Sequence, residues 1–191
     1  RFTQIEQIAL DRHVLGGAAT AAFELRDDQK RAVRTLVEAL EARRFAPFLL
    51  SGMTGSGKTA VYLEAARVAL DAGRGALVLV PEIALVPALA RTARSEFGDR
   101  LAILHSNLAR SERQQEWERI KEGAATVVLG PRSAVFAPLA DPGLIVVDEE
   151  HDGAYKQESQ PRYNGRDLAL VRARASDAVA VLTSATPSLE T

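Results

Sequence analysis

Eight consecutive residues, Gly52-Met53-Thr54-Gly55-Ser56-Gly57-Lys58-Thr59, limit this chain to very few architectures. They read G-x-x-x-x-G-K-T, a pattern with physical meaning only between a strand and a helix. That context is present. Phe48, Leu49 and Leu50 form an apolar run before it, and Val61, Leu63, Ala65, Ala66, Val68 and Leu70 recur at helical spacing after it. Gly52, Gly55 and Gly57 let the backbone turn its N–H groups inward, toward an anion at a helix N-terminus. Lys58 is expected to reach the β- and γ-phosphates of ATP, and the Thr59 hydroxyl to ligate magnesium. Thr54 and Ser56 complete the expected phosphate cradle. A chance Gly-rich turn would carry the same letters, so a second signal is needed.

Leu144-Ile145-Val146-Val147 supplies it, an apolar run without alternation, as expected of a strand buried on both faces of a parallel sheet. Asp148-Glu149-Glu150-His151 follows at the C-terminal end, where ligands bind in open α/β sheets. Asp148 suits a magnesium carboxylate, direct or through water. Glu149 is placed to polarise the water that attacks the γ-phosphate. An acidic turn in solvent is the bland alternative, weakened by the phosphate loop upstream.

Strand and helix patterns then alternate along the chain. Helices are expected at Asp27–Arg44, Lys58–Asp71, Ala84–Phe97, Ser111–Glu122 and Arg166–Ala175. Strands are expected at Phe48–Leu50, Ala76–Val80, Leu101–Leu104, Thr126–Leu129, Leu144–Val147 and Ala178–Leu182. Such alternation argues an α/β fold, a mostly parallel sheet with helices on both faces, in a RecA-like P-loop NTPase lobe. Residues 24–191 form that lobe, while residues 1–23 read as a linker or the end of a preceding domain, with Gly16-Gly17 at its centre. Ile5, Ile8 and Ala9 are weakly helical in spacing. An Arg at the first position and a stop just after Ser184-Ala185-Thr186 suggest a piece of a longer chain.

The 191 residues suffice for one sizeable core, and 47% apolar with 26% charged residues is ordinary globular composition. With no cysteine, disulfides and Cys-based zinc sites are excluded within this stretch. No apolar segment reaches membrane-spanning length, so no membrane partner is expected. A net charge of −1 gives no bulk attraction for nucleic acid. Any DNA contact has to be local, at Arg132 or among Lys156, Arg162, Arg166, Arg172 and Arg174.

Further candidates cluster at strand ends. Gln29, at the start of the first clear helix, carries an amide that matches the adenine edge, though a solvated helix glutamine would look the same. Arg132 and Ser133 follow a strand and could donate to a phosphate backbone; Pro131 and Gly130 are equally plain turn residues. Tyr155, Lys156, Arg162 and Tyr163 lie in one polar loop, the residue types that base stacking with phosphate contact needs, unless the tyrosines pack back on the core. Ser184 and Thr186 put hydroxyls near the sheet edge that carries His151, and a hydrogen bond between them could report nucleotide state to a DNA side. Trp117 reads as a packing residue.

Taken in order, Leu25…Gln29, GMTGSGKT (52–59), LVPEIAL (79–85), LHSNLARSER (104–113), VVLGPRSAVFAP (127–138), LIVVDEEHDGAYKQESQPRYNGRDLA (144–169) and LTSATPSLET (182–191) resemble the first motor lobe of the PriA family of bacterial replication-restart DNA helicases. The likeness spans residues 24–191, and the block from Asp148 to Ala169 is its most specific part. It implies a superfamily 2, ATP- and magnesium-dependent 3′-to-5′ helicase of the bacterial cytoplasm. The implied partners are forked or single-stranded DNA, primosome and single-strand-binding proteins, and a second motor lobe of the same chain; zinc is implied only outside this stretch. In the family's terms Gln29 is similar to the adenine-contacting glutamine. Gly57, Lys58 and Thr59 match the phosphate and magnesium ligands, Asp148 and Glu149 the Walker B pair, and residues 152–166 the aromatic-rich loop coupling DNA to hydrolysis. A RecG-like fork translocase lobe, and a degenerate binding module without turnover, are the alternatives. Ala60 stands where the family commonly has Glu, and Leu85-Val86-Pro87-Ala88 where it has Leu-Thr-Pro-Gln.

Overall fold

A computed structural model describes residues 5–11, 25–81 and 86–186. The Gly16-Gly17 linker and residues 82–85, which include Leu85 of the departing segment, lie outside the described residues, as do the side chains of Val86 and Pro87.

Seven strands form one sheet: β1 (Glu6–Ala9), β2 (Ala46–Ser51), β3 (Gly75–Leu79), β4 (Leu101–Ile103), β5 (Val127–Gly130), β6 (Pro142–Val147) and β9 (Val179–Ser184). Their order across the sheet is β1-β2-β9-β6-β3-β5-β4, and every pairing in it is parallel. A two-stranded antiparallel ribbon, β7 (Lys156–Gln157) with β8 (Tyr163–Asn164), stands apart. Five helices connect the strands: α1 (Asp27–Glu41), α2 (Lys58–Asp71), α3 (Val86–Phe97), α4 (Arg110–Lys121) and α5 (Gly165–Ala175).

The strands lack alternation because both faces are covered, so each successive residue enters one of two cores. Leu50, Val78, Val146 and Val181 pack with α1, α2 and α3 on one side. Leu49, Leu77, Ile145 and Leu182 pack with Ile120 of α4 and Ala169, Leu170 and Ala173 of α5 on the other. The α1 helix starts with Asp27 and Asp28 in its first turn, where negative charge suits the helix dipole, and its leucine and valine stripe faces the first core.

Two expectations need correction. Residues 6–9 are strand, not helix: Glu6 to Ala9 pair in register with Phe48 to Ser51, and ladder bonds to the open side of β2 outweigh weak helical spacing. Trp117 is not a core residue. It stays 38% exposed, because α4 lies beside the short edge strand β4 and, among its residues, buries only Ile120.

The edge of the sheet opposite the candidate site is tied by Arg74, a buried residue just before β3. Its guanidinium donates to Asp141 Oδ1 at 2.9 and 3.0 Å, to Ser176 O at 2.7 Å, Pro142 O at 2.9 Å and Asp177 O at 3.1 Å. One side chain thus joins the starts of β3 and β6 to the turn entering β9. Replacing it with Ala strands the buried Pro142 carbonyl and two partly buried ones, and a buried carbonyl costs about 1–3 kcal/mol when unsatisfied. Arg74→Ala is therefore expected to lower unfolding stability by ~2–4 kcal/mol in urea titrations, with Arg74→Lys intermediate because an ammonium cannot reproduce the fork. A wild-type midpoint for Arg74→Ala would show that the clamp is dispensable.

Candidate nucleotide-binding site

Parallel pairing brings the C-terminal ends of all seven strands to one edge, and the loops there build the site. After β2 the chain folds tightly through Gly55 (φ +82°) and Gly57 (φ +83°) before entering α2. A side chain at Gly57 is excluded twice, by the left-handed backbone and by Gln29 Nε2, which lies 2.1 Å from where a Cβ would sit. Lys58 is buried; its Nζ donates to Gly52 O at 2.7 Å and lies 3.4 Å from Glu149 Oε1. A cleft of ≈ 330 Å³ opens here, lined by Thr54, Gly55, Gly57, Lys58 and Thr59 on one side and Asp148 and Glu149 on the other. Gly52 and Ser56 lie behind this surface as part of the loop's frame. Ser56 Oγ is buried with no hydrogen-bond partner, an orphaned polar atom inside a loop of anion-binding shape.

Asp148 is held from three directions. Thr183 Oγ1 donates to its Oδ1 at 2.5 Å, Tyr62 OH to its Oδ2 at 3.3 Å, and the Tyr155 hydroxyl lies 2.6 Å from its carbonyl oxygen. Burial pushes the Asp148 carboxyl up, the Glu149 charge adds to the rise, and Thr183, Lys58 and Tyr62 oppose it. Glu149 sits in the left-handed region (φ +46°), a strained backbone for a residue with a side chain. Its N–H donates to Thr183 Oγ1 at 3.1 Å, while Glu150 N donates to Thr183 O at 2.8 Å. Thr183 therefore fixes both acids of the pair.

The donor set fits magnesium. Thr59 and Asp148 offer hard oxygens, and among the described residues no cluster of three or more His, Asp or Glu could cage a cation alone. That is the environment of an ion bound through one or two protein oxygens and completed by phosphate and water.

The remaining expected residues fall in two groups. His151 Nδ1 lies 2.9 Å from Ser184 Oγ and 3.7 Å from Glu149 Oε2, and Thr186 N donates to the same Ser184 Oγ at 3.1 Å. Gln29 is buried, its Oε1 accepting from Arg26 N at 2.9 Å and its Nε2 donating to Ser56 O at 3.1 Å. One amide hydrogen and one lone pair remain for a base. Away from the cleft, Arg132 donates to Gln157 Oε1 at 3.1 Å, Ala154 O at 2.8 Å and Lys156 O at 3.0 Å. Ser133, Lys156 and Arg162 are exposed. Tyr155 corrects an expectation: it is fully buried and cannot stack on a base, because its hydroxyl is consumed by the carbonyls of Asp148 and Leu79. Tyr163 is half-buried edge-to-face against the exposed Phe136, ring centroids 5.2 Å apart.

Sequence reasoning missed Tyr62, Thr183, Thr92 on the cleft wall, and the buried Glu150–Arg166 ion pair at 3.1 Å. Thr183 could have been found, as a hydroxyl ending an apolar strand one residue before Ser184. Tyr62 sits one helical turn after Thr59, a spacing that puts both on one face of α2.

A RecA-like α/β fold with this loop, and with two acids across from it, defines the ATP-binding lobe of a P-loop nucleoside triphosphatase. The chain belongs to the DEAD/DEAH box helicase family, which it matches over residues 26–191. It is 42% identical over 171 residues to the replication restart protein PriA of Bacillus subtilis, covering 90% of this chain and 21% of that protein. To PriA of Chlamydia trachomatis it is 45% identical over 167 residues, covering 87% and 22%. The chain thus spans about a fifth of the length of these relatives. Among solved structures, RecG bound to a three-way DNA junction superposes with a TM-score of 0.66 at 24% identity, covering 87% of this chain and 22% of RecG. The Hef helicase domain of Pyrococcus furiosus gives 0.59 at 20% identity, covering 86% and 33%. Both show a shared fold.

Because Thr183 serves Asp148 and Glu149 together, Thr183→Val is expected to cost about 1–3 kcal/mol in thermal or urea unfolding, and Thr183→Ser to restore most of it. Equal stabilities for all three proteins would remove Thr183 from this role.

Proposed function

We propose that this chain is the ATP-binding motor lobe of a 3′-to-5′ DNA helicase acting in replication restart at stalled forks. The observation that carries the reading is the identity of 42–45% to PriA proteins along most of the chain, through both halves of the nucleotide site. In this reading Lys58 and the loop N–H groups bind the phosphates of ATP, and Thr59 and Asp148 hold magnesium. When bound, the ion offsets the negative charge that develops on the phosphates. Glu149, kept in the cleft by Lys58 and Thr183, orients and deprotonates the attacking water. Gln29 offers its free amide hydrogen and lone pair to adenine while holding Ser56.

DNA, forked or single-stranded, is the proposed substrate. The RecG structure with a DNA junction adds a fold-level parallel. Ser133, Lys156, Arg162 and Tyr163 are the proposed contact region, with Arg132 contributing the N–H pair of Nη2. The His151–Ser184 link and the burial of Tyr155 under Asp148 supply a route from that region to the acids. Primosome and single-strand-binding proteins, a zinc-bearing region, a second motor lobe and a place in the bacterial cytoplasm belong to the same proposal. Among the described residues, no helix is long and apolar enough to cross a membrane.

Arginines supplied in trans to nucleoside triphosphatases are worth about 10³–10⁵ in rate. The 191-residue chain is therefore expected to bind ATP without appreciable DNA-stimulated turnover. Full-length parent protein is expected to remodel forked DNA with ATP, and its Lys58→Ala variant to lose that activity. Fork remodelling unchanged by Lys58→Ala, or strong DNA-stimulated hydrolysis by this chain alone, would reject the reading.

A further inference from the structure

Tyr62 has no part in the phosphate loop or the acidic box, yet it is a fully buried phenol aimed at the first acid of the box. It lies on α2, three residues after Thr59. Its hydroxyl reaches Asp148 Oδ2 at 3.3 Å. A carboxylate only accepts, so the single phenolic hydrogen is spent on Asp148.

We infer that Tyr62 is a positioning residue for the magnesium site, holding Oδ2 of the Asp148 carboxylate from the helix that also carries Thr59. The inference rests on the reading of Thr59 and Asp148 as the magnesium side of the cleft. This phenol and Thr183 hold the two oxygens of Asp148, so the carboxylate cannot swing. Tyr62 thus ties α2, which carries Thr59, to the acid at the end of β6. Groups that orient metal ligands in this way are typically worth 10–100-fold in metal affinity. Neither neighbour can substitute. Thr183 reaches only Oδ1, and Tyr155 touches the Asp148 carbonyl rather than its carboxylate.

The test is Tyr62→Phe, which keeps the ring in the core and deletes the hydrogen bond to Asp148. Binding of N-methylanthraniloyl-ADP to the 191-residue chain is followed by fluorescence, first without divalent cation and then across a magnesium titration. The expected result is unchanged magnesium-free ADP affinity and a magnesium half-saturation raised about 10–100-fold. Thermal unfolding without nucleotide checks that the variant is folded. If it is not, the wild-type protein carries the test: the buried Tyr62 hydroxyl proton in NMR spectra of the ADP complex should shift when magnesium is added. A magnesium titration identical to wild type, an equal loss of affinity with and without magnesium, or an unmoved hydroxyl resonance would overturn the inference. A wild-type chain that binds ADP with no response to magnesium fails differently: it rejects the magnesium reading itself.

Discussion

Strand β9 lies between β2 and β6, and both of its ladders are parallel. The rest of the site depends on that placement. Ser51 pairs with Ser184 and Val147 with Leu182, so the phosphate loop, the acids and the last hydroxyl strand end at the same height. The ladder then runs past the strands into the loops: Gly52 N donates to Ser184 O at 3.1 Å, and Glu150 N to Thr183 O at 2.8 Å. Residues as far apart in the chain as Gly52 and Ser184 are thereby held at hydrogen-bond spacing by backbone geometry, before any side chain contributes. Moving β9 by one residue would turn Thr183 into the wrong core and release both acids.

Glu150 and Asp148 are stabilised by opposite means, and the contrast fits the roles proposed for them. Glu150 carries an Arg166 guanidinium at 3.1 Å, a charge matched by a charge. Asp148 receives only hydroxyls on its carboxylate, from Thr183 and Tyr62. Hydroxyls orient an oxygen without cancelling its charge. Such partners keep the carboxylate both fixed and unneutralised, as the proposed magnesium contact needs, whereas a guanidinium in the same place would compete with the ion. The raised affinity of Asp148 for a proton, from burial and the Glu149 charge, is the cost of that arrangement.

The sheet, its helices and the two ATP-site motifs were legible because each rests on local pattern: apolar runs for strands, helical spacing for α1 and α2, fixed intervals within the phosphate loop. What stayed hidden depends on contacts between distant segments. The strand at Glu6–Ala9 exists through the open side of β2, and nothing within those four residues announces it. Tyr155 looked like a stacking ring because its neighbours are polar, but a turn at Gly153 folds it under Asp148. Tyr62 was one apolar-looking residue in a helix until β6 placed an acid 3.3 Å from its hydroxyl. Trp117 erred the other way, since helical spacing cannot reveal that α4 sits at the rim of the sheet.

Arg132 shows how one cation can hold a loop and still keep donors for the proposed DNA contact. A guanidinium has five N–H groups. Three are committed here, to Ala154 O, Lys156 O and Gln157 Oε1, which fixes the turn that carries Tyr155 beneath Asp148. Gly165, at the start of α5, packs so closely on Arg132 that a Cβ there would stand 2.9 Å from the arginine Cβ, so the residue is confined from behind as well. Among the described residues, the Nη2 pair has no partner. A contact made through Nη2 pulls on a planar group whose other edge grips the 154–157 turn, and that turn bears on the backbone of the acidic box. In the proposed DNA reading, recognition at the strand ends and geometry at the acids would therefore share one planar guanidinium, which a lysine, with three donors on a flexible stem, could not replace.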